Sequence, residues 1–210
     1  VGLHDFERLR WRSIKIKFFK ETAKFCYNIL YRDMQYNTIM SKQLQSIKPQ
    51  DIVLLLKVIS NNNDSWNQKP IAKELGMSQS EVSESVARSK FAGLLDVSGK
   101  KVFRRALMDL LQYGIRYVFP QRPGAMVRGI PTAHSAKPLN QIIQSEEDYV
   151  WPSAKGQVRG QSVLPLYPSV VNAVASDDKL YELLALVDAL RVGKIREQEL
   201  AIKELQKKIL

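Results

Sequence analysis

Between residues 71 and 88 the chain reads IAKELGMSQSEVSESVAR, and few backbones satisfy all of it at once. Gly76 closes a run of helix formers and supplies the left-handed exit that a helix C-terminus favours. Ser78 and Glu81 have the S-x-x-E spacing of a capping box, so a second helix starts there. Ile71, Leu75 and Met77 give the first helix and the turn their apolar bulk. Ala72 is the small residue four before the glycine, and Val82 and Val86 lie one turn apart for burial. The stretch predicts a helix-turn-helix whose second helix covers residues 78–91.

With Val82 and Val86 inward, that helix turns Gln79, Ser80, Ser83, Glu84 and Arg88 outward. Short polar side chains let a helix come close to base edges. Glutamine can bond adenine, serine either base type, glutamate accepts from cytosine, and arginine bonds guanine or phosphate. These five are the expected base contacts, in a DNA major groove. Residues 88–105 carry a net charge of +5, where flanking phosphates would lie. The expected phosphate contacts are Lys69, Ser78, Lys90, Lys100, Lys101, Arg104 and Arg105. Lys155 and Arg159, on a hairpin read around 154–156, would act as a displaced basic wing.

A helix opens at Pro49, with Ile52, Leu55, Leu56 and Ile59 on one face, and NNNDSW breaks it. Residues 66–95, WNQKPIAKELGMSQSEVSESVARSKFAGLL, resemble the helix-turn-helix core of MarR-type winged-helix regulators. The resemblance covers residues 48–95 and no more. It implies a dimeric bacterial transcription factor with its recognition helix in the major groove and a basic hairpin wing on the flanking phosphates. The chain departs from that pattern after Leu95. There DVSGKKVFRRALMDLLQYG reads as a helix, with Val102, Leu107, Leu110 and Leu111 spaced for burial.

Seven of the nine prolines fall in 120–168, which predicts loops and short strands there. Helix returns after Ser176, with Leu180, Leu183, Leu184, Val187 and Leu190 at helical spacing, and Gly193 interrupts it. The tail stripe Ile195, Ile202, Leu205 and Ile209 reads as a dimer interface, because little chain is left to cover it. The organisation expected is an N-terminal extension or leader over 1–40, a helix-turn-helix domain over 41–119, a proline-rich loop and hairpin region over 120–170, and a helical arm over 171–210. The fold class is mainly α, with a winged-helix-like helix-turn-helix core, short β-strands in a loop-rich middle and a C-terminal helical arm. The chain begins at Val1, with Met34 and Met40 as alternative starts. Residues 1–33 read as a leader or an extra basic amphipathic helix.

The net charge of +11 favours a polyanionic partner. Residues 171–210 carry none of it, so their partner is not DNA. Cys26 is the only cysteine, and no apolar run is long enough to span a bilayer. Both fit a reducing cytoplasm and no membrane. His134 and His4 have no ligand or catalytic partners near them in sequence, and 146–148 reads as a solvated acidic turn. Nucleotide-binding and hydrolase motifs are lacking. The expectation is therefore a non-enzymatic, sequence-selective regulator that binds double-stranded DNA as a homodimer, with no metal and no cofactor. The rival is a protein-interaction or antitoxin-like adaptor that reuses the helix-turn-helix fold.

Overall fold

Every residue from 51 to 60 of helix α1 (Pro49–Asn61) is buried. The computed structural model describes residues 46–63 and 65–210; the reading of residues 1–33 lies outside them. Pro49 suits the first turn of α1, where its missing N–H leaves no bond unmade. Asp51 accepts from the Lys48 N–H at 2.8 Å, and Asn62 ends the helix at φ 45°.

Helices α2 (Gln68–Leu75) and α3 (Gln79–Phe91) pack on α1 and on each other. Gly76 stands between them at φ 63°, which a side chain would strain. Ile71, Ala72, Leu75, Met77, Val82 and Val86 are all buried, as their spacing predicts. The capping box forms: Ser78 Oγ accepts from the Glu81 N–H at 3.1 Å, and Glu81 accepts from the Ser78 N–H at 2.8 Å.

The segment after Leu95 corrects the helical reading. The chain makes a tight antiparallel hairpin with a bridge between Leu95 and Val102, and helix α4 starts only at Arg104 (Arg104–Asp109). The cause is local. Asp96 accepts from the Lys100 and Lys101 N–H groups at 2.9 Å each and from Ser98 Oγ at 2.6 Å. These bonds, Ser98 first and then the Lys101 N–H, hold its carboxyl well below the usual carboxylate range. An aspartate that satisfies its own turn competes with helix.

Helix α4 continues through a π turn (Leu110–Gly114) into α5 (Ile115–Val118). Its inner side is Leu107, Met108, Leu111 and Ile115, all buried. The proline-rich middle then gives β1 (Met126–Pro131), β2 (Tyr149–Pro152) and β3 (Val158–Ser162), joined into a small closed sheet. The hairpin expected around 154–156 is not one. Strands β2 and β3 each pair antiparallel with β1, and with each other they run parallel. Closure brings two backbones together: a Cβ on Gly156 would lie 2.0 Å from the Gly129 carbonyl carbon.

Helices α6 (Val170–Ala173), α7 (Asp178–Val192) and α8 (Ile195–Ile209) complete the chain. Helix α7 is buried from 183 to 191. Asp188 there accepts from Trp151 Nε1 at 2.5 Å, Thr132 Oγ1 at 3.0 Å and Arg191 Nη1 at 2.6 Å, which ties the sheet to the helical core. Gly193 ends α7, since a Cβ there would meet the Ala189 carbonyl oxygen at 2.3 Å.

Helix α8 corrects the reading of the tail as a dimer seam. It folds back on α7 and α4. Leu205 and Ile209 have no exposed surface, Ile202 is half-buried, and Ile195 alone of the four is exposed. The inward stripe is Glu197, Ala201, Leu205 and Ile209, at steps of four. Residues 46–210 cluster as one compact unit, and the segments read separately in the sequence contribute to one core. Leu205→Ala should therefore lower unfolding stability by about 2–5 kcal/mol, read by urea denaturation, and leave the mass in solution of the folded protein unchanged.

Candidate nucleic-acid interface

Helix α3 sorts twelve of its thirteen residues into buried and exposed, with Glu81 half-buried. Val82, Ser85, Val86, Arg88 and Ser89 are buried, while Gln79, Ser80, Ser83, Glu84, Ala87, Lys90 and Phe91 are exposed. The exposed strip Ser80, Ser83, Glu84, Ala87 runs along one side at steps of three and four. Four of the five expected base contacts lie on this outer side.

Arg88 does not, and its reading as a base contact is corrected. Its side chain is 6% exposed and points inward to Asp51. The guanidinium donates from Nε to Asp51 Oδ2 at 2.9 Å and from Nη2 to Oδ1 at 2.7 Å. Ser85 Oγ donates to the same carboxylate at 2.5 Å. A fork–fork pair of this kind is directional and strong once both charges are buried. Ala87 takes the outer position in its place. The spacing from Ser80 and Ser83 could have found it, but an alanine carries no polar signal. Its methyl suits contact with a thymine methyl.

The expected phosphate contacts divide in two. Lys69, Lys90, Lys101 and Arg105 are exposed, and among the described residues none of them enters an ion pair. The others are engaged. Ser78 caps α3. Lys100 lies 5.0 Å from the centre of the Trp66 ring and donates to the Trp66 carbonyl, while Trp66 Nε1 donates to the Lys100 carbonyl at 2.8 Å. That exchange pins the hairpin to the start of α2. Arg104 donates to the Ile209 carbonyl at 2.8 Å and to Asn62 Oδ1 at 3.0 Å. Beside it, a cleft of about 430 Å³ is lined by Asn62, Asn63, Lys101, Phe103, Arg104 and Arg105, among others. Lys155 and Arg159 are exposed, but Arg159 belongs to β3, opposite Arg128 of β1. Strand pairing, not α3, fixes its position.

Two residues from the proline-rich middle hold α2 and α3 and were missed in the sequence. Tyr167 donates its hydroxyl to Glu81 Oε1 at 2.7 Å. Ser169 donates to the Leu75 carbonyl, and its Cβ lies 3.3 Å from where a Gly76 Cβ would stand. The segment thus lies against the turn and the first turn of α3. No local pattern announces it, because the partners are 86 and 94 residues apart. The Tyr167 hydroxyl, with the Ser78 N–H, pulls the Glu81 carboxyl down to about 2 from an ordinary 4.5.

His134 is buried, with Nε2 3.0 Å from the Glu147 carbonyl and its ring 4.5 Å from that of Tyr149. Among the described residues no cluster of histidine, cysteine or carboxylates is arranged to hold a metal, and no helix is long and apolar enough to cross a membrane. The chain matches no protein family, no curated protein and no solved structure.

Two outcomes follow from the inward pairs. Arg88→Ala leaves a buried carboxylate without its cation and should cost about 3–5 kcal/mol of stability in chemical denaturation. A base-contact role would instead give a stable protein with altered sequence preference. Tyr167→Phe should raise the Glu81 carboxyl from about 2 toward 4.5, read by NMR titration of its side-chain carbon. Because the folded-state value is depressed, this contribution is fully present above the ordinary carboxylate range and is lost as pH falls through the folded value. The variant should lose it at neutral pH.

Proposed function

We propose that the protein is a sequence-selective DNA-binding regulator of transcription that inserts α3 into the major groove. The observation that carries this reading is the outer strip of α3. It is long, short-sided and polar, and it is held from behind by Arg88, Ser85, Val82 and Val86. Side chains of this size let the helix backbone approach base edges, and each good base pairing discriminates by about 1–3 kcal/mol. The hairpin over 94–103 follows α3 directly, where a winged-helix protein carries its wing, and it displays Lys101. Arg105 continues the positive edge. The base-reading set on this proposal is Gln79, Ser80, Ser83, Glu84 and Ala87. The phosphate set is Lys69, Lys90, Lys101 and Arg105.

A protein-interaction module is the second reading, and Phe91 favours it. That ring is 66% exposed at the end of the same face, where a protein partner gains more from it than a phosphate backbone does.

Selection from a random duplex pool, followed by titration at several salt concentrations, tests the proposal. Affinity should fall by orders of magnitude between low and physiological salt if about 5–8 phosphates are neutralised per protomer. Ser83→Ala should change the preferred sequence at one position. Arg105→Ala should weaken all sequences alike and shallow the salt slope by about one unit. No binding, or a Ser83 variant that loses affinity uniformly, would remove α3 as the reader. Lost duplex affinity after Phe91→Ser would assign the ring to the DNA face and remove the second reading's support.

A further inference from the structure

Helix α4, the π turn and α5 form a rod with one covered side. Leu107, Met108, Leu111 and Ile115 face the core. The opposite side exposes Tyr113 (68%) and Tyr117 (81%) with Val118 (50%) at the end. Asp109 and Arg116 are exposed in the same strip. Asp109, Tyr113 and the Arg116–Tyr117 pair recur at about one-turn intervals, so they form a continuous surface. Among the described residues neither Asp109 nor Arg116 enters an ion pair.

We propose that this strip is where two copies of the chain join, with their rods antiparallel about a two-fold axis. A two-fold interface must complement itself: when residue i meets residue j, j also meets i. The strip has that property. Asp109 and Arg116 are opposite in sign and seven residues apart. An axis passing between residues 112 and 113 sets each Asp109 against the partner's Arg116, and does so twice. Tyr113 then lies beside the axis, and Tyr117 lies across the first turns of the other rod. Tyrosine and arginine are the side chains that concentrate binding energy at interface centres. Exposed ion pairs contribute little by themselves, so the rings supply affinity and the charges set orientation.

The C-terminal helix does not compete for the role of dimer seam, because its apolar stripe is consumed inside its own chain. The inference deepens the DNA-binding proposal, in that a two-fold dimer presents two reading helices to a pseudo-palindromic site. The dimer itself does not require that proposal.

The test is light scattering and sedimentation on the full chain across the micromolar range, with exposed-residue variants that leave the core intact. The wild type should be dimeric. Asp109→Arg alone, or Arg116→Asp alone, should weaken the dimer by about tenfold or more, since each turns two attractions into two repulsions. An equimolar mixture of these two variants should form heterodimers, because every cross-pair is again opposite in sign. Tyr113→Ser with Tyr117→Ser should weaken the dimer by about a hundredfold. A wild type that stays monomeric overturns the proposal. So does a dimer indifferent to both single reversals. A dimer that forms as described but binds no duplex leaves this inference standing and removes the DNA reading. A monomer that binds duplex does the reverse.

Discussion

Helix α1 has no solvent side between 51 and 60, yet it carries Asp51, Lys57 and Ser60 in that span. A buried polar group must find partners, and a buried charge must find an opposite charge. Those demands organise the molecule. Asp51 at the first turn takes Arg88 and Ser85 from α3. Lys57 takes Asp177 at 2.7 Å and Glu74 at 2.8 Å. Ser60 donates to Asp177 as well, and the other Asp177 oxygen caps α7 by accepting from the Leu180 N–H at 2.9 Å. One helix therefore specifies the rotation of α3 at one end and the start of α7 at the other. Apolar packing alone tolerates small rotations of a helix; a bidentate arginine pair does not.

The rotation of α3 is the quantity on which its outer face depends. With Arg88 and Ser85 drawn to Asp51, the exposed side consists of Ser80, Ser83, Glu84 and Ala87, and Glu84 borders the buried pair through an ion pair with Arg88 at 3.5 Å. A turn of the helix by one residue, about 100°, would bring a different set outward. The second constraint comes from the proline-rich middle, where Tyr167 holds Glu81 and Ser169 rests on the Gly76 turn. A segment poor in regular structure thus fixes the pitch of α3 at the end opposite Arg88. Its prolines suit the task, since they restrict a loop without requiring a ladder of backbone bonds.

What the sequence made legible is what neighbours in sequence decide. The glycine exit, the capping box, the Val82–Val86 pair and the break at Gly193 each depend on residues within one or two turns, and each stands in the structure. Misreadings arose in two ways. Arg88 reads outward because helical spacing alone leaves it near the polar side; its inward pull comes from Asp51, 37 residues away. The 96–103 segment has apolar residues at spacings that a helix would also use, and the decisive fact is the Asp96 side chain bonding its own turn. Strand pairing belongs to the first kind. Two neighbouring extended runs look like a hairpin until a third strand, β1, takes the antiparallel side of both.

The neutral C-terminal region is explained by the same physics. Seven of its fourteen charged residues are matched in these pairs: Arg191 to Asp188 at 2.6 Å, Lys208 to Glu182 at 2.6 Å, Lys207 to Glu204 at 2.6 Å, and Asp177 to Lys57. Its apolar stripes are matched as well, with Leu205 and Ile209 closed against the core. Its inward apolar stripe is thus spent within the chain. Part of the positive excess lies elsewhere, on Lys69, Lys90, Lys101 and Arg105, which enter no ion pair among the described residues. On the DNA-binding proposal these are the charges that a polyanion would neutralise, with release of its condensed counterions.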